Sequence, residues 1–159
     1  MNKLRINCTD IYEIEVNDKG ETIQFNLKDV DLPFRFQRAY EGIKQTQTKM
    51  KADMVIAEKK SGDKADGALF SERELALAKV RKQAYADMRK AMDGFLGEGG
   101  CQKIFGDTDY IDMYDDLFDA LNEKGEDGLS HFDRMQMGAE DVKKKIAEKY
   151  GNDEDDVLK

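Results

Sequence analysis

The apolar positions of this chain change period along its length, and each change predicts a different element. In Ile11-Tyr12-Glu13-Ile14-Glu15-Val16 and again in Glu21-Thr22-Ile23-Gln24-Phe25-Asn26-Leu27 they alternate. Tyr12, Ile14 and Val16 therefore share one face of a strand, and Ile23, Phe25 and Leu27 one face of the next. Asn17-Asp18-Lys19-Gly20 between them suits a type I turn followed by a glycine in the left-handed position. The pattern predicts a β-hairpin. Two strands alone are marginally stable, so the apolar face is expected to lie on helices or on strands of another chain.

Beyond Asp31, which reads as an N-cap with Pro33 in the first turn, the period becomes helical. Phe36, Tyr40, Ile43, Gln47, Met50, Met54 and Ala57 recur at spacings of four and three and draw one stripe down a helix that runs to about residue 60. At 1.5 Å per residue that helix is about 40 Å long. Ser61-Gly62-Asp63-Lys64-Ala65-Asp66-Gly67 is a small, polar connector. A second helix starts at Ser71, with Glu74 completing a capping box, and carries Leu77, Val80, Ala84, Met88, Ala91 and Phe95 on one face. It ends at Gly97-Glu98-Gly99-Gly100, where glycine supplies C-cap geometry. A short helical turn over 101–105 follows and stops at Gly106.

A third helix is expected from Asp109, with Ile111, Tyr114, Phe118 and Leu121 inward and Asp112, Asp115, Asp116, Asp119 and Glu123 outward. Like charges three and four residues apart cost a few tenths of a kcal/mol per pair, so a cationic neighbour is expected. Arg81, Lys82, Arg89 and Lys90 of the second helix are candidates, and a docking protein is the other. After Gly125 the pattern weakens, and only residues 139–150, with Val142, Ile146 and Tyr150 on one face, read as a helix before the acidic run Asn152-Asp153-Glu154-Asp155-Asp156. The expected fold class is α+β, mainly α: an N-terminal β-hairpin followed by a bundle of long amphipathic helices. Residues 1–30 form the hairpin segment, 31–125 the helical core of the same domain, and 126–159 a weakly structured acidic extension.

Charge adds a partition to this layout. The net charge of the 159 residues is -8, but residues 1–60 carry 11 Lys/Arg against 10 Asp/Glu, residues 61–106 carry 8 against 7, and residues 107–159 carry 7 against 17. The acidity belongs to the last third. An acidic chain repels phosphates, which disfavours nucleic acid as a partner and leaves a basic protein or another subunit open. A single proline leaves long helices uninterrupted. No apolar run approaches the roughly 20 residues of a membrane span, and the N-terminus has no apolar core of a secretory signal, so no membrane association and a place in the cytosol are expected. Cys8 and Cys101 read as reduced thiols.

The chemistry of catalysis is sparse. His131 is the one histidine, and no Cys/His ligand set accompanies it. Gly97-Glu98-Gly99-Gly100 lacks the Lys-Ser/Thr ending of a phosphate-binding loop. Asp107-Thr108-Asp109-Tyr110-Ile111-Asp112 opens like a calcium loop but has Asp112 where glycine is needed and Phe118 in place of the final glutamate. No enzyme activity, metal or cofactor is expected, and by elimination the chain reads as a binding or assembly protein.

The stretch Phe95-Leu96-Gly97-Glu98-Gly99-Gly100-Cys101-Gln102-Lys103-Ile104-Phe105-Gly106, set after a hairpin, a long helix and a connector, resembles the small tail assembly chaperones of long-tailed phages and prophages of Gram-positive bacteria. Their pattern is a helix ending in a Phe-x-Gly-Glu-Gly turn, then a Lys-Ile-Phe-Gly turn before the next helix. Ala91-Met92-Asp93-Gly94 departs from its aromatic-rich approach to the glycines. The resemblance implies a non-enzymatic protein that binds the tape measure protein, helps to recruit tail tube subunits and self-associates. The partner-binding candidates are Phe36, Tyr40, Ile43, Met50 and Met54 on the first long helix, whose Met and aromatic content suits adaptable contact, and Asp112, Asp115, Asp116 and Asp119 on the acidic one. The same apolar stripe is also what a monomer core would use. An alternative from another class is an acidic inhibitor that imitates nucleic acid and binds a host DNA-acting enzyme through the carboxylates from 107 to 127.

Overall fold

A computed structural model describes residues 1–151, so the acidic run that begins at Asn152 lies outside the described residues. The order is β1 (Ile11–Glu15), β2 (Thr22–Asn26), α1 (Leu32–Ala57), α2 (Glu72–Leu96), α3 (Gly100–Phe105), α4 (Met113–Asn122) and α5 (His131–Tyr150). The fold class is α+β and mainly α, with the hairpin first and helices after it. The chain divides into two compact units, one made of Met1–Pro33 with the described residues from Lys103 onward and the other of Phe34–Gln102. The hairpin therefore groups with the last third of the chain, not with the residues that follow it.

In the first unit β1 and β2 pair antiparallel from Ile11 opposite Asn26 to Glu15 opposite Thr22. Gly20 takes φ 78°, the left-handed position that the turn demands. Asn17 organises the turn, accepting from the backbone N–H groups of Lys19 and Glu21 and donating to the Lys103 carbonyl at 3.0 Å. Ile23 and Phe25 are buried, as the alternation predicts, together with Met113, Tyr114, Leu117 and Leu121 of α4 and Met135 of α5. Phe105 meets the ring of Tyr114 edge-on at 5.9 Å.

Two expectations are corrected in this unit. The acidic helix starts at Met113 rather than Asp109, so Ile111 precedes it and is 86% exposed instead of packed inward. The region from 126 onward is not weakly structured over its described length, because α5 begins at His131 and runs for 20 residues. Ser130 caps it: its hydroxyl accepts from the Asp133 N–H at 3.0 Å while the Asp133 carboxylate accepts from the Ser130 N–H at 2.8 Å. Gly138 lies inside the helix, where glycine is ordinarily unfavourable. A Cβ there would sit 3.1 Å from Cβ of Leu27, so glycine lets α5 approach the end of β2 closely.

The second unit is a helical hairpin. Ser71 is buried and its hydroxyl accepts from the Glu74 N–H at 3.1 Å, starting α2 where the capping box predicts. The glycines after α2 have separate roles. Gly97, at φ 95°, is the C-cap, whereas a Cβ on Gly100 would lie 2.5 Å from Cβ of Leu96, so only glycine allows α3 to turn back over the helix end. The Asp93 carboxylate then accepts the Cys101 N–H at 2.8 Å. Neither Cys101, buried, nor Cys8, exposed, is in a disulfide.

Candidate functional site

Three contacts fix how α1 and α2 face each other. Phe36 meets Phe95 edge-on at 5.1 Å, a Cβ on Gly42 would touch Cβ of Ala91 at 3.0 Å, and Arg73 Nε donates to the Lys60 carbonyl at 3.1 Å. As the residue number rises in α1 it falls in α2, so the helices are antiparallel, with the connector at one end and the Phe36–Phe95 contact at the other, which we call the base.

The packing differs along that length. At the base, Ala39 and Ile43 of α1 and Ala84, Met88, Met92, Phe95 and Leu96 of α2 are buried, with Met92 fully so. Toward the connector, residues 44–56 of α1 and 72–83 of α2 contain no buried side chain. Here the helices leave an open groove of about 420 Å³. Met50, Ile56, Ala57, Val80 and Ala84 supply its apolar lining, and Lys49, Asp53, Lys60, Lys79 and Asp87 its charges. Lys49 Nζ pairs with Asp53 at 2.8 Å, and its pKa is held above the ordinary lysine value first by that bond and then by the Asp53 and Asp87 charges. Ile56 is 61% exposed, and Val55 and Leu75 nearby are also exposed. Two helices cannot enclose an apolar stripe by themselves; a further helix is what completes such a layer. The groove can therefore hold an amphipathic helix through non-directional contact, with oriented charges at its rim.

The candidate stripe of α1 divides along this groove. Ile43, at 2% exposure, belongs to the hairpin core and has no surface to give a partner. Phe36 is half-buried between Phe95 and Tyr40, whose ring centroid lies 6.3 Å away. Tyr40 is just exposed, with Lys44 Nζ 5.3 Å from its ring centre. Met54 is half-buried, and Met50, also half-buried, lines the groove. Sequence periodicity finds the stripe and places Val80 on the apolar face of α2, but it does not find the division or the groove role of Val80 and Lys79, because a single helix pattern says nothing of where a second helix ceases to cover it.

Asp112, Asp115, Asp116 and Asp119 are all exposed on α4. Asp115 and Asp116 lie in its first turn, where the helix dipole favours negative charge and lowers the cost of crowding them. Asp116 also accepts the Tyr110 hydroxyl proton at 3.0 Å, a bond that raises the Tyr110 pKa above its usual value.

The sole histidine is engaged. His131 Nδ1 is hydrogen-bonded to the Tyr12 hydroxyl, and Arg134, paired with Asp127, lies 5.9 Å from the centre of the Tyr12 ring. That cluster pins the start of α5 to β1. Among the described residues no group of three or more His, Cys, Asp or Glu side chains is arranged to hold a metal ion, and no helix is long and apolar enough to cross a membrane. No protein-family model matches the chain, and no curated protein and no solved structure matches it either.

Proposed function

We propose that this chain is a non-enzymatic assembly protein, of the kind of the phage and prophage tail assembly chaperones, acting in the host-cell cytoplasm. Its client is the long helical tape measure protein, which it keeps covered while tail tube subunits are recruited. The observation that carries the reading is the open groove between the connector-side halves of α1 and α2, with Met50, Ile56 and Val80 in its apolar lining. An amphipathic client helix would lay its apolar face on Met50, Ile56 and Val80, and the flexible thioether of Met50 would adapt to many similar segments. Gly97 and Gly100, in the stretch on which the family resemblance rests, shape the end of the same hairpin.

The test is capture of purified tape measure segments by the full chain at moderate salt, with Val80→Glu as the groove variant. Capture by the parent chain and loss of at least tenfold in affinity for the variant support the reading. Binding that survives Val80→Glu but disappears when Asp112, Asp115, Asp116 and Asp119 are all changed to Asn would move the client to α4. Tight binding of a DNA-acting enzyme through those aspartates, with no capture of tape measure segments, would replace the reading by nucleic-acid mimicry.

A further inference from the structure

The charges around the groove follow a rule that the client reading does not use. Gly42 faces Ala91. Four residues on in α1 and four back in α2, Thr46 stands opposite Asp87, one helical turn from Lys49. Eleven residues on and eleven back, Asp53 stands opposite Val80, next to Lys79. Each acid on one helix therefore has a base near its own level on the other: Asp53 with Lys79, and Asp87 with Lys49. All four line the groove, and the Asp87 charge reaches Lys49.

We propose that in the absence of a client the groove is covered by the groove of a second copy of this chain, the two hairpins forming a symmetric four-helix bundle with the twofold axis along their length. That symmetry lays α1 on the partner's α2 at the same level and in the opposite direction, which repeats across the interface the relation that α1 and α2 have within one hairpin. Every opposition of charge is repeated with it. Asp53 meets the partner's Lys79 and Asp87 the partner's Lys49, twice each, while Met50, Ile56 and Val80 leave water. A twofold across the groove at its centre would instead set Asp53 on Asp53. Each helix then lies antiparallel to both of its neighbours, which suits their dipoles. The interface is isologous, as closed dimers require. With the client reading it shares only the premise that the groove is a protein-binding face.

The experiment is sedimentation of the full chain at micromolar concentration, alone and as charge-reversal variants. The parent is expected to be a dimer. Asp53→Lys and Lys79→Asp each place two like-charged pairs in the interface and are expected to weaken it about tenfold or more. Mixed in equal amounts, the two variants are expected to form a heterodimer of near-parental affinity, because the Lys at 53 in one then meets the Asp at 79 in the other. Loss of within-hairpin pairing would not be repaired by mixing, and circular dichroism checks that each variant is folded. A parent that remains monomeric up to ~100 μM, or a dimer that neither reversal weakens, or reversals that mixing does not rescue, each overturns the inference. Tape measure segments titrated onto the same samples separate the two readings: a monomer that captures them keeps the client reading and loses this one. A rescued heterodimer whose parent captures nothing does the reverse.

Discussion

The two ends of the helical hairpin have similar sequence periodicity and opposite packing. At the base, Met88, Met92, Phe95 and Leu96 are enclosed, and toward the connector Met50, Val80 and Ile56 are not, although all of them sit on apolar positions of the same two helices. Periodicity says which way a side chain points, whereas burial depends on what stands across from it. At the base the close approach at Gly42 and Ala91, the ring of Phe36 and the returning α3 fill the space. Between there and Ala57 and Ser71, which are buried beside the connector, nothing of the hairpin itself does so. An amphipathic helix pair packed at the base and open along the groove has a core and still has apolar surface for another molecule.

The sharpest way to break that comparison is to remove one side chain from each end. Met92, at 0% exposure, should cost ~2–5 kcal/mol as Met92→Ala, because the void cannot be reached by water. Val80→Ala in the groove should cost ~1 kcal/mol or less in the monomer, since the surface it leaves is already partly wet. Urea denaturation with a constant m-value measures both. Measured at concentrations where the chain is a monomer, equal costs would mean that the hairpin closes the groove by itself, and the open-ended account would fall.

The next largest effect tests what closes the base. Gly100→Ala puts a Cβ 2.5 Å from Cβ of Leu96, an atom held by the backbone, so α3 must shift away from the helix end. A loss of ~1–3 kcal/mol is expected, as for other overpacked sites. Gly94→Ala, six residues earlier in α2, meets nothing within 4 Å and should gain up to ~1 kcal/mol from helix propensity. Opposite signs for two glycines six residues apart would be read directly from their denaturation midpoints.

At the connector end capping should matter more than packing. Ser71 is buried and its hydroxyl holds the first turn of α2, so Ser71→Ala is expected to cost ~1 kcal/mol. Its effect should equal or exceed that of Val80→Ala, the reverse of the ranking at the base. Hydrogen exchange at Glu74, whose N–H the hydroxyl accepts, reads the loss locally.

What was legible in the sequence follows the same division. The hairpin, its turn, the Ser71 cap and the glycine stop after α2 each depend on neighbouring residues, and each was readable. The inward face of β2 was readable too, because alternation with Ile23 and Phe25 leaves one choice. Three features depended on distant residues and were not. Gly138 looks like a helix breaker until Leu27 is seen against it. Asp109 and Ile111 fit a helix start, but the chain turns once more, with the Met113 N–H bonded to the Tyr110 carbonyl, before α4 begins. The Phe36 to Met54 stripe was readable as a stripe, while the boundary at which α2 stops covering it was not. The start of α5 was readable in principle: Ser130 and Asp133 have capping spacing, with Asp in place of the usual Glu.

The smallest effect expected concerns that start. Asp133 accepts hydrogen bonds from Lys124 and from the Ser130 N–H, and these lower its pKa to about 2, the Lys124 bond contributing most. An aspartate in the unfolded chain titrates at ~3.9. The folded carboxyl binds its proton less readily than the unfolded one, so its contribution to stability is fully present above about pH 4, declines as the pH falls toward 2, and is absent below that. Asp133 is only half-buried and Lys124 is exposed, so solvent screening keeps the contribution small. Asp133→Asn should lower stability slightly at pH 7 and flatten the stability profile between pH 4 and 2, leaving Met92→Ala with the parent's slope there. A parental slope in Asp133→Asn would show that the first turn of α5 is held by the Ser130 hydroxyl and by packing at Met135, as the base of the hairpin is held by its core, and not by charge.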